Sequence, residues 1–149
     1  MNPCRGSLCF VLAAACAVAP PAPRPTGTGS IDVRIDGIEH GRGQVLVNVF
    51  VGPDGFPGDP ARALRKERLP ADAASLALSF DDLPAGEVAV AAFHDEDLDH
   101  ELDRNLLGVP VERWGVSNGV RGFVGPPSFA DSRVELPAGR RLVIAILLQ

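Results

Sequence analysis

Residues 31–51, IDVRIDGIEHGRGQVLVNVFV, decide the fold class. Ile31, Val33 and Ile35 alternate with charged residues, and valines at 45, 47, 49 and 51 repeat this spacing after the turn-forming EHGRG. A period of two places alternate side chains on opposite faces of an extended chain. The stretch therefore predicts two half-buried β-strands joined by a turn.

The same period recurs towards the C-terminus. It predicts further strands over residues 76–80, 87–93, 134–136 and 142–148. The last of these is apolar on both faces, so we expect it to be a central strand. Residues 61–68 form either a short helix or an edge strand that carries charges. About seven short strands with turn signals between them, and no long amphipathic helix, predict an all-β sandwich over residues 31–149.

The N-terminal segment has the pattern of an export signal. Arg5 precedes an apolar run over residues 8–19, which is too short to cross a bilayer core of about 30 Å as a helix. Two processing sites compete: LAAAC ending at Cys16 resembles a lipobox with a lipidated cysteine, and AVA at residues 17–19 fits simple cleavage. We expect a signal peptide at residues 1–19 and a flexible tether at 20–30. The protein would then be periplasmic, or held at the outer membrane only by a lipid on Cys16.

Cysteine placement and charge exclude several classes of protein. All three cysteines, Cys4, Cys9 and Cys16, precede the predicted domain, which therefore has no disulfide, thiolate metal site or cysteine nucleophile. The formal net charge of −5 gives no basic surface for nucleic acid.

An acidic segment, HDEDLDHELDRN at residues 94–105, follows the predicted strand at 87–93. Its odd-numbered positions match a calcium-loop template, in which alternate residues supply oxygen ligands. The candidate ligands are Asp95, Asp97, Asp99, Glu101 through its backbone carbonyl, and Asp103. His100 replaces the template's glycine, and Leu106 replaces its final glutamate, so Asn105, Glu112 or water would have to complete the site.

Two other interpretations of this segment stay open. The first is a solvated acidic loop without a specific ion. The second is a transition-metal site that uses His94 and His100, although two histidines specify little without further soft ligands.

The stretch LPAGEVAVAAFHDEDLDHELDRNLLGVPVERWGVSNGVRGFVGPPSF, residues 83–129, resembles the bacterial domain-of-unknown-function family 2141. The resemblance rests on His94-Asp95, the acidic loop, LDRN with Gly108 and Pro110, GVSN at residues 115–118, and GPPSF at residues 125–129. It implies an exported antiparallel β-sandwich of the prealbumin-like or immunoglobulin-like type, with no established activity. The chain departs from the family where Asp99-His100 replaces the usual Asn-Gly or Asp-Gly, which bears on metal affinity more than on fold.

An enzyme is the least favoured function. Ser117 and Ser128 lack a G-x-S-x-G context, and the carboxylates lie together on one loop instead of on opposite walls of a cleft. The leading hypothesis is a non-catalytic envelope domain with a calcium-ordered loop, which binds a protein or a glycan. The alternatives are a structural or accessory sandwich without an ion, and a small-molecule binder that uses the 114–129 loop. The candidate ligand contacts in that loop are Trp114, Ser117, Asn118 and Arg121.

Overall fold

The computed structural model describes residues 26–39, 41–103, 105–108, 110–122 and 125–149. The predicted signal peptide, Cys16 and the tether up to residue 25 lie outside the described residues. The described chain forms eight strands and one short helix, α1 (Phe129–Ser132). The strands are β1 (Thr28–Asp36), β2 (Gln44–Phe50), β3 (Arg65–Pro70), β4 (Ser75–Pro84), β5 (Gly86–Asp95), β6 (Trp114–Val116), β7 (Val134–Leu136) and β8 (Arg141–Leu147). No helix in these ranges has the length and apolarity that crossing a membrane requires.

The strands form two sheets. Sheet A has the order β4-β1-β8, and sheet B has the order β3-β2-β5-β6, with β7 paired to the start of β5. The pairing of β1 with β8 is parallel, and the other pairs are antiparallel. An all-β sandwich is therefore confirmed, with one parallel pair as a correction to a wholly antiparallel arrangement. A strand that returns from the far end of the chain is not constrained by a hairpin, so its direction is free.

The main core lies between the sheets and consists of the residues that the period of two selects. Ile31, Val33 and Ile35 of β1 are at most 1% exposed. They pack in one cluster with Val45, Val47 and Val49 of β2 and with alternate residues of β5 and β8. The alternation in the sequence thus correctly identifies the inward face of these strands.

Sheet B is also covered on its outer face. There Phe50, Ala89, Ala91, Val116 and Phe129 form a second buried cluster, against which Phe56 and Trp114 pack. The phenyl rings of Phe50 and Phe56, and those of Phe56 and Phe129, meet edge to face with centroids 5.3 and 5.8 Å apart. The segment before β3, which contains Phe56, and the segment after β6, which contains Phe129, therefore fold back over this sheet.

Strand β8 does not occupy the central position in the sheet that its apolar composition predicts. The central position expected for residues 142–148 is wrong: β8 is an edge strand of sheet A, and Val143 and Leu147 on its outward face are 76% and 55% exposed. No third layer covers this face within the described chain. Isolated apolar residues are common on protein surfaces, so apolarity on two faces does not prove burial.

The ambiguous segment at residues 61–68 contains a 3-10 turn at Pro60–Arg62 and then β3, a charged edge strand. The edge-strand interpretation is therefore confirmed. Residues 114–116, expected in a loop, instead form β6, which is three residues long. So short a strand depends on pairing with β5 and carries no periodic signal of its own.

The acidic segment and the N-terminus of the described chain lie at opposite ends of the sandwich. Asp95 ends β5 and pairs with Gln44. Thr28 begins β1 and pairs with Pro84, which lies just before the start of β5. Since a ten-residue strand is about 33 Å long, β5 sets the separation between the two ends.

Candidate functional site

Asp95 organises the start of the acidic loop from inside the protein. Its side chain is fully buried at the end of β5. Oδ1 accepts the backbone N–H of Leu98 at 2.7 Å, and Oδ2 accepts the backbone N–H of His100 at 3.1 Å. Oδ2 also accepts Nε2–H of Gln44 at 2.7 Å. One buried carboxylate thus fixes the loop to the sheet and folds its first turn.

The backbone of this turn enters the left-handed region twice. Leu98 and His100 each have φ of 70°. His100 occupies the position where the calcium-loop template has glycine, and its positive φ agrees with that template. Non-glycine residues adopt this conformation at a cost of roughly 1–2 kcal/mol. Leu98 and His100 are also the two residues whose N–H groups donate hydrogen bonds to Asp95. These hydrogen bonds offset the strain of the positive φ angles.

The next two acidic residues continue the same pattern. Asp97 Oδ1 accepts the N–H of Asp99 at 3.2 Å, and Asp99 Oδ1 accepts the N–H of Glu101 at 2.8 Å. Each carboxylate turns back towards the chain that follows it. One oxygen each from Asp95, Asp97 and Asp99 lies within 4.8 Å of the others. Two oxygens on opposite sides of a calcium ion are about 4.8 Å apart, so the cluster has suitable dimensions.

Glu112 closes the loop at its far end. It is 7% exposed, and its two oxygens accept the N–H of Glu96 at 2.8 Å and the N–H of Asp103 at 3.1 Å. Glu96 also forms an ion pair with Arg42 at 3.3 Å. The sequence suggested Glu112 only as a substitute ligand, whereas in the structure it joins the two ends of the loop. No local signal marks this role, because Glu112 lies outside the acidic run.

The remaining candidate ligands, Asp103 and Glu101, differ in their surroundings. Asp103 lies near the cluster, where loss of hydration and then the negative charges of Asp97, Asp99 and Asp95 raise the pKa of its carboxyl. Glu101 is exposed, and its carboxylate has no hydrogen-bond or ion-pair partner among the described residues. Leu106, at the template's last position, is fully exposed and supplies no ligand oxygen.

The two histidines do not share a site with the cluster. His94 is fully buried, and its Nε2 donates to the carbonyl oxygen of Arg42 at 2.7 Å, whereas His100 is exposed. Among the described residues, the group of potential ligands that converges contains only carboxylates. The donor set is therefore one for hard cations.

The four candidate ligand contacts in the 114–129 loop form two pairs with different surroundings. Ser117 is fully buried; its hydroxyl accepts the N–H of Val90 and donates to the carbonyl oxygen of Ser132. Asn118 donates to the carbonyl oxygens of Asp131 and Arg133. These two side chains hold β6 and α1 together. Trp114 and Arg121, in contrast, both line a small hollow of about 180 Å³.

Trp114 also lines a larger hollow on the outer face of sheet B, of about 360 Å³, which we term the Trp114 hollow. Phe93 lies opposite Trp114 in the sheet, and Ala91 lies one position further along that face. Pro57 borders one side of the hollow. Glu101 and Leu102 of the acidic loop border another side. The acidic loop and the aromatic surface are thus neighbours at one end of the sandwich.

Fold and site together define a small β-sandwich with a carboxylate-rich loop at one end. The chain belongs to the family described as uncharacterized protein conserved in bacteria, DUF2141, whose model matches residues 33–143. The resemblance inferred from residues 83–129 is confirmed, and the match extends from within β1 to within β8. Comparisons with curated proteins and with solved structures gave no match.

Proposed function

We propose that the protein is an exported, non-catalytic domain of the bacterial cell envelope, with an acidic loop that is ordered by calcium. It acts as a binding or accessory module for an envelope protein or a glycan. The observation that carries the proposal is the convergence of oxygens from Asp95, Asp97 and Asp99 within 4.8 Å. Carboxylate oxygens in such a turn match the ligand preference of calcium.

The charge balance of the loop supports a cation. The buried carboxylate of Asp95 is surrounded by amide N–H donors and has no cationic side chain as a partner within the described residues. These hydrogen bonds offset part of the cost of burying a carboxylate without a counter-charge. The raised pKa of Asp103 reflects partial desolvation and repulsion from the neighbouring carboxylates. A divalent cation would offset both unfavourable contributions.

The arrangement of the ends suits a tethered module. The chain before Thr28 leaves the sandwich at the end opposite the acidic loop. If the predicted N-terminal segment anchors the protein through Cys16, the acidic loop lies at the end of the domain that is far from the tether. Membrane fractionation of the full-length protein and of Cys16→Ala tests the anchor. Loss of membrane association supports lipidation, and unchanged fractionation contradicts it.

Two observations favour binding over catalysis. The hydroxyl of Ser117 is buried and hydrogen-bonded within the core. The hydroxyl of Ser128 caps α1, where it accepts the N–H of Asp131 and donates to the carboxylate of that residue. The two candidate nucleophiles thus stabilise the structure, and within the described chain neither forms a hydrogen bond with His94.

Thermal melts of the full-length protein in chelator, in millimolar magnesium and in millimolar calcium test the ion. At a calcium concentration 100 times Kd, binding stabilises the folded state by about 2.7 kcal/mol. For a domain of this size we expect a rise in Tm of about 8–14 °C. Magnesium gives a smaller rise, because it dehydrates reluctantly and demands octahedral geometry.

The double variant Asp97→Asn, Asp99→Asn is the matched control, since both carboxylates are exposed and their Oδ1 acceptors are conserved in asparagine. It should fold and lose the calcium response. Identical melts of the wild-type protein in chelator and calcium would contradict the proposal and leave a solvated acidic loop on a structural or accessory sandwich.

A further inference from the structure

The Trp114 hollow has the size and lining of a small-ligand site. Its volume of about 360 Å³ lies within the range of roughly 300–1,000 Å³ that is typical of such sites. Phe93 and Trp114 form an aromatic floor, with Ala91 beside them, because pairing of β5 with β6 places all three side chains on one face. Pro57 contributes a wall without a backbone N–H donor.

Few polar groups reach this hollow. Among the described residues, the polar side chains that line it, apart from the indole of Trp114, are those of His100 and Glu101. Glu101 differs from three other acidic side chains in this region, which have partners. Asp95 and Glu112 accept hydrogen bonds from backbone N–H groups, and Glu96 forms an ion pair with Arg42. Glu101 therefore borders an aromatic surface, and within the described chain its carboxylate has no hydrogen-bond or ion-pair partner that would compete with a ligand.

From this juxtaposition we propose that the Trp114 hollow binds an organic cation, with an apolar or aromatic body on Phe93 and Trp114 and an ammonium or guanidinium group at Glu101. The negative potential of the neighbouring Asp97, Asp99 and Asp103 attracts such a group. The face of an indole ring also attracts cations. A sugar with many hydroxyl groups is a poorer match, because two polar side chains and one indole N–H satisfy few of them.

The inference rests on the proposed function only in assigning ligand binding to this end of the domain. It does not require calcium, since the calcium-loop template uses the backbone carbonyl of the residue at the Glu101 position and leaves its carboxylate to the ligand. Bound calcium would neutralise part of the charge of Asp97 and Asp99, so we expect tighter binding of the organic cation in chelator than in calcium. Titrations are therefore made both in chelator and in calcium. Binding in chelator by a protein whose melt does not respond to calcium would leave this inference standing while the calcium proposal fails.

The single tryptophan gives a direct signal, because Trp114 lines the hollow and no other tryptophan contributes fluorescence. Full-length protein is titrated with 2-phenylethylammonium and, as matched probes of similar size, with neutral 2-phenylethanol and anionic 3-phenylpropionate. We expect a saturable change with the ammonium, a weaker response with the alcohol, and the weakest with the carboxylate. Equal responses to cation and anion, or no saturable change with the cation, would overturn the proposal.

Two variants test whether Glu101 is the partner of the ligand's positive charge. Glu101→Gln should weaken binding of 2-phenylethylammonium about 1.5- to fivefold, the range for an ion pair at an exposed position, and should leave 2-phenylethanol unchanged. Glu135→Gln is the control, because Glu135 has an exposed carboxylate and lies on β7 opposite Glu87, near the start of β5 and at the far end of the sandwich. Circular dichroism verifies that both variants fold. An unchanged affinity of Glu101→Gln for the cation would refute the assigned role.

A second set of probes identifies the source of the cation. Capped Phe-Lys dipeptide amide carries the same two groups within a peptide, and capped Phe-Glu dipeptide amide is its control. Tighter binding of the lysine peptide than of 2-phenylethylammonium supports a basic segment of a partner protein. Tighter binding of the free amine supports a small-molecule ligand with the same chemistry.

Discussion

Replacement of Asp95 by asparagine tests whether a buried carboxylate holds the acidic loop in place. The side chain of Asp95 is 0% exposed and accepts three hydrogen bonds, one at Oδ1 and two at Oδ2. Asparagine has a single oxygen. If it takes the Oδ2 position, the bonds from Gln44 and His100 remain, but its NH₂ group then faces the N–H of Leu98.

The magnitude follows from these contacts. The N–H of Leu98 loses its bond to the carboxylate, and hydrogen bonds to charged groups contribute about 1.5–3 kcal/mol. The two remaining bonds lose their charge assistance, while the loss of one negative charge relieves repulsion in the loop. We expect a net destabilisation of about 2–3 kcal/mol in chelator, equivalent to a fall in Tm of about 6–14 °C. Chemical denaturation and thermal melts measure both quantities.

Asp97→Asn is the control for charge alone. Asp97 is exposed, and the hydrogen bond that it accepts from the N–H of Asp99 needs only an oxygen acceptor. In chelator this variant should stay within about 0.5 kcal/mol of the wild type. In calcium both variants should lose most of the calcium-dependent rise in Tm. Equal stability of Asp95→Asn and Asp97→Asn in chelator would refute the conclusion that Asp95 organises the loop internally.

Two further predictions concern the sandwich itself. Gly115→Ala should destabilise the fold by about 1–3 kcal/mol, because its Cβ would lie 2.6 Å from the carbonyl oxygen of Leu147. Gly52→Ala, with nothing within 4 Å of the added Cβ, should change stability by less than about 0.5 kcal/mol in the same denaturant titration. Arg141→Gln should destabilise the protein at neutral pH but not in strong acid. Ser79 and then Arg141 lower the pKa of Asp32, and Ser30 and then Arg141 lower the pKa of Asp81. A lowered folded-state pKa contributes stability above the unfolded value of 3.8, and this is lost as pH falls through the folded-state pKa. The difference between wild type and Arg141→Gln should therefore shrink as pH falls below about 4, whereas a constant difference would contradict this linkage.

The sequence by itself determined the local structure of this protein. The period of two in β1 and β2 identifies their inward side chains, because alternate residues of a strand face opposite sides whatever lies next to it. The spacing of Asp95, Asp97 and Asp99 likewise predicts a turn that gathers their carboxylates, since each interaction spans only a few residues.

Only the tertiary structure decided how these pieces combine. Gln44 and Asp95 are 51 residues apart, Glu112 joins the two ends of the acidic loop, and β8 lies at an edge although its composition suits a centre. The Trp114 hollow also depends on β6, whose three residues form a strand by pairing with β5. Periodicity reports which side chains share a face, but it carries no information about the neighbouring strand, because strand order is set by long-range pairing and by how the layers cover one another.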